Sequence, residues 1–510
     1  MRSVATIATL LIFSAAALHS QSPVKTGSGA DTLRQEKRVA RPNALRELRA
    51  DLESLVSAPD WNGAHVGVAV VSLESGEILY HKDADKYFIP ASVQKLFTTA
   101  TALQTLGTEY RYTTSLFLDG AIQSNGEYNG NIIVRGSGDP SISSAYGVDP
   151  IALMDRWANV LDSLGIRSIK GSIIGDDDAF DDREYAAGWS WDDLVFGYAS
   201  QVSGLNFADN AVRLRVISPL STADVPQIRL MPETDYVRIV NGLRVVDSTG
   251  STSIQPQRDF RSNVIDVTGT IIAATRDTVS VLVSVDNPTL FALNVLRGAI
   301  QRRGIRFRGA VLDVDDWNDT VSYERCTAVA KHVSAPLSEI VNVINRYSNN
   351  LGAEALLKTI GMYTSGEGSF DRGIESVKKQ LLAYGIGLQE MMIADGSGLS
   401  RLNLCTPQQI TTLLGSVFRS PVAGAFRASL AEPGERGTLQ RRMTDTRAEH
   451  SVHAKTGTMN GVSALAGYVN TRDGEPMAFA ILINNFTVPL ALAQNLQDLV
   501  CMRIASFSRK

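Results

Sequence analysis

Leu45, Leu48, Leu52 and Leu55 recur every three to four residues in the segment NALRELRADLESLV, which begins at Asn43. That spacing puts all four on one face of a helix. A β-rich run from His65 to Leu73, a Glu74-Ser75-Gly76 turn and a return from Glu77 to His81 predict a hairpin. A helix from about Ser92 to Leu106 follows, ended by Gly107. After Tyr110 short apolar runs alternate with turn clusters, as at Tyr112–Phe117, Gly130–Val134, Ser172–Gly175, Val212–Ile217, Tyr236–Ile239, Ile265–Val267 and Val279–Val285. From Leu290 onward helical spacing returns, over Leu290–Arg303, Leu337–Ser348, Gly352–Tyr363, Phe370–Tyr384 and Thr406–Phe418. Two apolar strands, Ala464–Val469 and Met477–Asn484, and a helix from Pro489 to Ile504 close the pattern.

A two-stranded hairpin is marginal alone, so the early hairpin is expected to pair with the late strands. The chain then divides into an α/β domain built from 43–109 and 286–510, with a β-rich insertion over 110–285, in one piece or two nested ones. No short-period repeat or low-complexity segment interrupts this layout.

A length of 510 residues exceeds what one core fills, which agrees with two to four domains. The hydrophobic fraction of 44% and charged fraction of 20% are those of an ordinary globular chain. A net charge of -4 without a long basic run gives no reason to expect nucleic acid as a partner. At the start, Arg2 precedes the apolar run Val4–Ala17, which is shorter than the roughly 20 residues a spanning helix needs. It reads as a cleaved signal peptide over residues 1–20, cut between Ala17 and Gln21, followed by a polar linker over 21–42. No cysteine follows the cut to carry a lipid, so an exported, periplasmic or cell-envelope protein is expected. Cys326, Cys405 and Cys501 are far apart, form no Cys/His cluster for zinc and allow at most one disulfide.

Candidate chemistry starts from a serine that needs a base, since a free hydroxyl is a poor nucleophile. With six histidines and no Gly-x-Ser-x-Gly elbow, a histidine triad has little support. Lysine can replace histidine when burial and neighbouring positive charge disfavour its ammonium. Ser92 and Lys95 are three apart at a helix start and share a face, where the helix dipole favours developing negative charge. The same spacing also occurs at Ser22/Lys25, in the linker, and at Ser376/Lys379, on what reads as a solvated helix face. Two further elements single out Ser92. Ser348-Asn349-Asn350 lies in a turn between two helices, where it can aim a hydroxyl and a carboxamide at a pocket. Lys455-Thr456-Gly457-Thr458 precedes an apolar strand; on an edge strand it would offer Lys455 to a carboxylate, with Gly457 letting a substrate backbone lie close. Helix Ser-x-x-Lys, loop Ser-x-Asn and strand Lys-Thr-Gly, in that order, are the motif set of penicillin-binding proteins and class A β-lactamases.

On these residues the chain resembles the penicillin-recognising serine enzymes, and within them the D-alanyl-D-alanine carboxypeptidase/endopeptidase family, the class C low-molecular-mass penicillin-binding proteins. Ile89–Lys95, Gly136-Ser137-Gly138-Asp139-Pro140, Asp395–Ser400, Gly437-Thr438-Leu439 and the run from Ser348 to Lys358 all carry the likeness. So does the long stretch between Lys95 and Ser348, where family members hold an inserted domain. The resemblance implies a transpeptidase-like α/β domain, an antiparallel sheet flanked by helices, with a β-rich insertion. It further implies acylation of Ser92 with Lys95 as base, Ser348 relaying a proton to the leaving amine, and Asn350 holding the peptide backbone. Lys455 and Thr456 would bind the terminal carboxylate, with Thr458 nearby, and the amides of Ser92 and Thr458 would form the oxyanion hole. Asp176, in Gly175-Asp176-Asp177-Asp178, resembles an insertion acid that in relatives reads the amino end of a diaminopimelate side chain. The partners implied are peptidoglycan peptides as substrate and β-lactam antibiotics as covalent inhibitors, with at most weak membrane or cell-wall association. No metal and no organic cofactor is implied. A secreted serine β-lactamase is the nearest rival, but no Glu-x-x-Leu-Asn string stands between Asn350 and Lys455. A non-catalytic peptidoglycan-binding protein is the other.

Overall fold

The computed structural model describes residues 43–273, 278–388 and 391–509. The expected signal peptide, the linker and the Ser22/Lys25 pair lie outside the described residues.

The early hairpin is completed by the end of the chain. Val452–Met459, Val462–Asn470, Pro476–Asn484, His65–Ser72 and Ile78–Lys82 form, in that order, one antiparallel five-stranded sheet. The strand Pro476–Asn484 is apolar almost throughout because both its faces are covered. Met477, Phe479, Ile481 and Ile483 face one core, with Leu48, Leu52 and Val56 of the first helix (Ala44–Val56) and Leu496, Val500 and Ile504 of the last (Leu490–Ala505). Ala478, Ala480 and Leu482 face the other, with Phe97, Ile344, Leu356 and Leu414. Each fully buried Ile or Phe contributes about 1.5–3 kcal/mol. Alanines at 464, 466, 478 and 480 keep the second face flat. Bulkier side chains there would push outward the helices that carry Lys95 and Asn350.

The middle of the chain builds its own core. Val311–Asp313, Ile173–Asp176, Ile132–Arg135, Thr113–Leu118 and Thr327–Val333 form a second, mixed five-stranded sheet, in that order. The helices Pro150–Ser163 and Pro288–Arg302 pack on it through Leu153, Trp157, Leu161, Phe291, Leu296 and Ile300. Smaller sheets take up most of 211–284. Two features differ from the sequence expectation. The helix Pro150–Ser163 lies inside a stretch expected to be strands; Asp149 caps it by accepting from the amides of Ile151 (3.0 Å) and Ala152 (3.1 Å). The hydrogen-bonded layers also run past 285, since Val311–Asp313 pairs with Ile173–Gly175 and Thr327–Val333 with Thr113–Leu118. The strands after the helix are only two to seven residues long, too short to stand out as a periodic pattern. No disulfide forms among the described residues, where all three cysteines are free and Cys405 and Cys501 are buried.

Candidate active site

Ser92 sits on a short 3-10 turn, Ala91–Gln94, that runs directly into the helix Lys95–Leu106. Ala91 adopts a left-handed φ of 46°, a strained conformation for a residue with a Cβ. The turn is held from two sides by glycines. A Cβ on Gly398, itself at φ 84°, would lie 1.9 Å from the Ala91 carbonyl oxygen, and one on Gly457 would lie 2.6 Å from that of Pro90. Gly457 is therefore required by the turn that carries Ser92, which approaches the strand Val452–Met459 where a substrate backbone was expected to do so. That strand is the sheet edge, as the Lys-Thr-Gly motif suggested.

Lys95 is fully buried. Its Nζ lies 3.0 Å from Ser92 Oγ, 2.6 Å from Asn350 Oδ1 and 2.7 Å from the Ser397 carbonyl oxygen. The last two only accept hydrogen bonds, so they take two N–H groups of the amine. A neutral amine then has its lone pair left for the Ser92 hydroxyl. Burial drives the Lys95 pKa down to about 7, with the Glu354 and Asp395 carboxylates opposing that shift. Asn350 is fixed in the required orientation, because its Nδ2 donates to the Tyr198 carbonyl at 2.8 Å.

Ser348 occupies a left-handed conformation, φ 61°, just before the helix Asn350–Ser365. Asn349 caps that helix by accepting from Gly352 N at 2.6 Å, and its Nδ2 reaches Asp209 Oδ1 at 3.3 Å. Lys455 Nζ donates to Ser348 Oγ at 2.9 Å and to the Thr456 carbonyl at 2.8 Å. Burial, with the Lys95 charge adding to it, holds the Lys455 ammonium well below the usual lysine range. An arriving carboxylate supplies the opposite charge that restores it.

Behind Lys95 stands a buried carboxylate pair. Glu354 accepts from the amides of Gly396 and Ser397, both at 2.8 Å, and so fixes the Ser397 carbonyl that Lys95 uses. Burial pushes its pKa up to about 8, and the Asp395 charge adds to that. Asp395 accepts from Gly398 N (2.7 Å), Ser400 N (2.6 Å), Asn403 Nδ2 (2.8 Å) and Trp189 Nε1 (3.0 Å). Its pKa is also raised, chiefly by burial.

Ser92, Ser348, Asn350 and Thr458 line one open cavity of about 660 Å³. Lys95 and Lys455 lie beneath it, touching Ser92 and Ser348. The cavity also takes Ser190, Asp192, Asp193 and Tyr198 from the inserted region, and Arg401 from beyond it. Sequence reasoning passed over these. Two adjacent acids beside a tryptophan in Trp189-Ser190-Trp191-Asp192-Asp193 carry no periodic signal, and only folding brings them to Ser92. Asp176 is not among the cavity-lining residues. It is buried, ion-paired to Arg135 at 3.5 Å and hydrogen-bonded by the Tyr323 hydroxyl. Ser376 bonds Thr364 Oγ1 across neighbouring helices while Lys379 is exposed, so that pair does belong to a solvated face.

The chain is similar to known proteins over most of its length. The D-Ala-D-Ala carboxypeptidase 3 (S13) family matches the chain over residues 48–502. A D-alanyl-D-alanine carboxypeptidase of Actinomadura sp. (strain R39) is 34% identical over 474 residues, covering 91% of this chain and 85% of that protein. A D-alanyl-D-alanine carboxypeptidase DacB of Haemophilus influenzae is 26% identical over 428 residues, covering 83% of this chain and 86% of its own. The crystal structure of penicillin-binding protein 4 (dacB) of Haemophilus influenzae superposes with a TM-score of 0.77 at 24% identity, over 90% of this chain and 99% of that one.

Proposed function

This chain belongs to the D-Ala-D-Ala carboxypeptidase 3 (S13) family of serine-type, penicillin-binding hydrolases, and on that premise we propose that it cleaves D-alanyl bonds of peptidoglycan peptides through an acyl-enzyme on Ser92. The observation that carries this assignment is the placement of Lys95, whose two N–H acceptors leave only Ser92 for its lone pair. Lys95 takes the Ser92 proton as Oγ attacks the D-alanyl carbonyl. The amides of Ser92 and Thr458 receive the developing oxyanion, each well-aimed donor being worth about 3–4 kcal/mol. Ser348 relays a proton to the departing amine, taking its replacement from the Lys455 ammonium that donates to its Oγ, and the C–N bond breaks. Lys455 and Thr456 bind the terminal carboxylate, Asn350 binds the peptide backbone, and water then frees the acyl group from Ser92.

A β-lactamase needs a fast deacylating base. Glu354 is an acid near the site, but it is fully buried and both its oxygens accept backbone amides. A long-lived penicilloyl adduct is therefore expected. Mass mapping after benzylpenicillin treatment should place a single adduct on Ser92; an adduct on another serine, or rapid release of penicilloic acid, would overturn the assignment.

We take Asp192 and Asp193, which line the cavity, as the acids that meet a substrate side chain; Asp176 is outside that lining and paired with Arg135. Asp193 is oriented by the Tyr198 hydroxyl, which donates to its Oδ1 at 2.6 Å. On this reading the site prefers stem peptides whose side chain ends in a free amine. Asp193→Asn should cut kcat/KM for such a peptide by roughly 5–10-fold, about 1 kcal/mol for a half-exposed ion pair. The same peptide with its amine acetylated should be hydrolysed equally by both enzymes.

The proposed domain plan places the peptidase core in the two chain ends and the insertion between Tyr110 and Ser334. Its support is the strand pairing of 306–333 with 113–176. Export to the cell envelope rests on the apolar run Val4–Ala17. Among the described residues no helix is long and apolar enough to cross a membrane.

A further inference from the structure

The acidic run that contains Asp176 divides into two electrostatic situations. Asp176 has its own cation in Arg135. Asp177 follows the strand Ile173–Asp176, Asp313 ends the neighbouring parallel strand Val311–Asp313, and Asp315 stands on the next turn. One carboxylate oxygen from each of these three lies within 4.8 Å of the other two. Among the described residues none of the three has a Lys, Arg or His ion-pair partner. Asp177 Oδ2 accepts from Thr289 Oγ1 (2.6 Å) and Ser203 Oγ (2.9 Å), and Asp313 Oδ2 accepts from Asn287 Nδ2 (2.8 Å). The other oxygen of Asp313, Oδ1, is buried without a hydrogen-bond partner on a residue only 6% exposed. An unpaired carboxylate oxygen in that position costs free energy unless something positive meets it.

We propose that Asp177, Asp313 and Asp315 form a site for a hard divalent cation of the calcium class, separate from the catalytic cavity. Carboxylate oxygens are the donors such ions select. Calcium–oxygen distances of about 2.3–2.6 Å place ligands on a sphere about 5 Å across, which accommodates three oxygens at the observed separations. The smaller magnesium ion would draw them closer. Three carboxylates this close repel one another, and a cation between them relieves that repulsion. Asp177 opens the segment that leads through Asp181, which pairs with buried Lys358 at 2.7 Å, to Trp189, Asp192 and Asp193. The cation would thus tether the start of the segment whose far end lines the active site.

The test is calorimetric titration of the full chain, freed of metal by chelator, with calcium chloride at pH 7.5. One saturable site is expected, with a Kd of about 0.1–1 mM. Asp313→Asn should abolish it, and Asp315→Asn, at an exposed position that cannot upset the core, should weaken it at least tenfold. In chelator Asp315→Asn should melt no lower than the wild type, because it removes a repulsive charge; added calcium should raise the melting temperature of the wild type more. No saturable uptake by the wild type, or uptake undiminished in both variants, would overturn the proposal. Mapping of the penicilloyl adduct is independent of it, so failure here leaves the Ser92 assignment untouched.

Discussion

Lys95→Arg should lower the rate of acylation by benzylpenicillin a hundredfold or more, since a positioned general base contributes about 10²–10⁴-fold and guanidinium cannot give up its proton. The wild type should show the same requirement as a pH profile. Below a pKa of about 7 the Lys95 amine is an ammonium with no lone pair for the Ser92 proton. The acylation rate should rise about tenfold per pH unit from pH 5 and level off above 7. The limb follows from burial of Lys95, which disfavours its charged form. Stopped-flow labelling across pH 5–9 reads both effects. A flat profile, or Lys95→Arg within tenfold of the wild type, would remove Lys95 from the role of base.

Asp395→Ala is expected to be the most destabilising single change near the site. It strips a common acceptor from Gly398 N, Ser400 N, Asn403 Nδ2 and Trp189 Nε1, in a place where the carboxylate is wholly buried. Unsatisfied buried donors cost about 1–3 kcal/mol each, and water entering the gap would recover part of that, so a loss of about 3–5 kcal/mol is expected. The loop 396–400 supplies the Ser397 carbonyl to Lys95 and the Gly398 contact to Ala91, so acylation should fall as well. Asp395→Asn keeps one accepting oxygen and should recover part of both. Urea denaturation and labelling rates on the two variants test this. Equal stability of Asp395→Ala and the wild type would mean that the four donors find other partners.

Much of the candidate site was legible in the sequence because its residues sit in short, ordered strings: Ser92–Lys95, Ser348–Asn350 and Lys455–Thr458. The structure brings all of these into contact. What could not be read depends on long-range contact. Asp395 and Glu354 belong to segments quoted for their resemblance, yet their work, fixing Ser397 and Gly398 beneath Lys95, appears only when the helix Asn350–Ser365 packs on that loop. Tyr198 and Asp193 reach the cavity from irregular backbone with no repeat to reveal it. Asp176 was singled out by its resemblance to an insertion acid of relatives; in the fold Arg135 and Tyr323, distant in sequence, engage it. The helix Pro150–Ser163 was readable from Asp149-Pro150 and the spacing of Leu153, Trp157 and Leu161, and was passed over because strands surround it.

The joining of the two chain ends in the central sheet has a consequence for biosynthesis. Ser72 bonds Glu475 across 403 residues of chain, and the Ile89 amide bonds Asn484 across 395. At about 5–20 residues per second, the ribosome finishes the partner strand roughly 20–80 s after the hairpin emerges. During that time His65–Ser72 offers an unpaired edge, and Ser92 has no sheet to be held against. The inserted region carries its own core and can fold meanwhile. A chain caught partway through synthesis therefore holds Ser92 without the strand Val452–Met459 that packs against its turn.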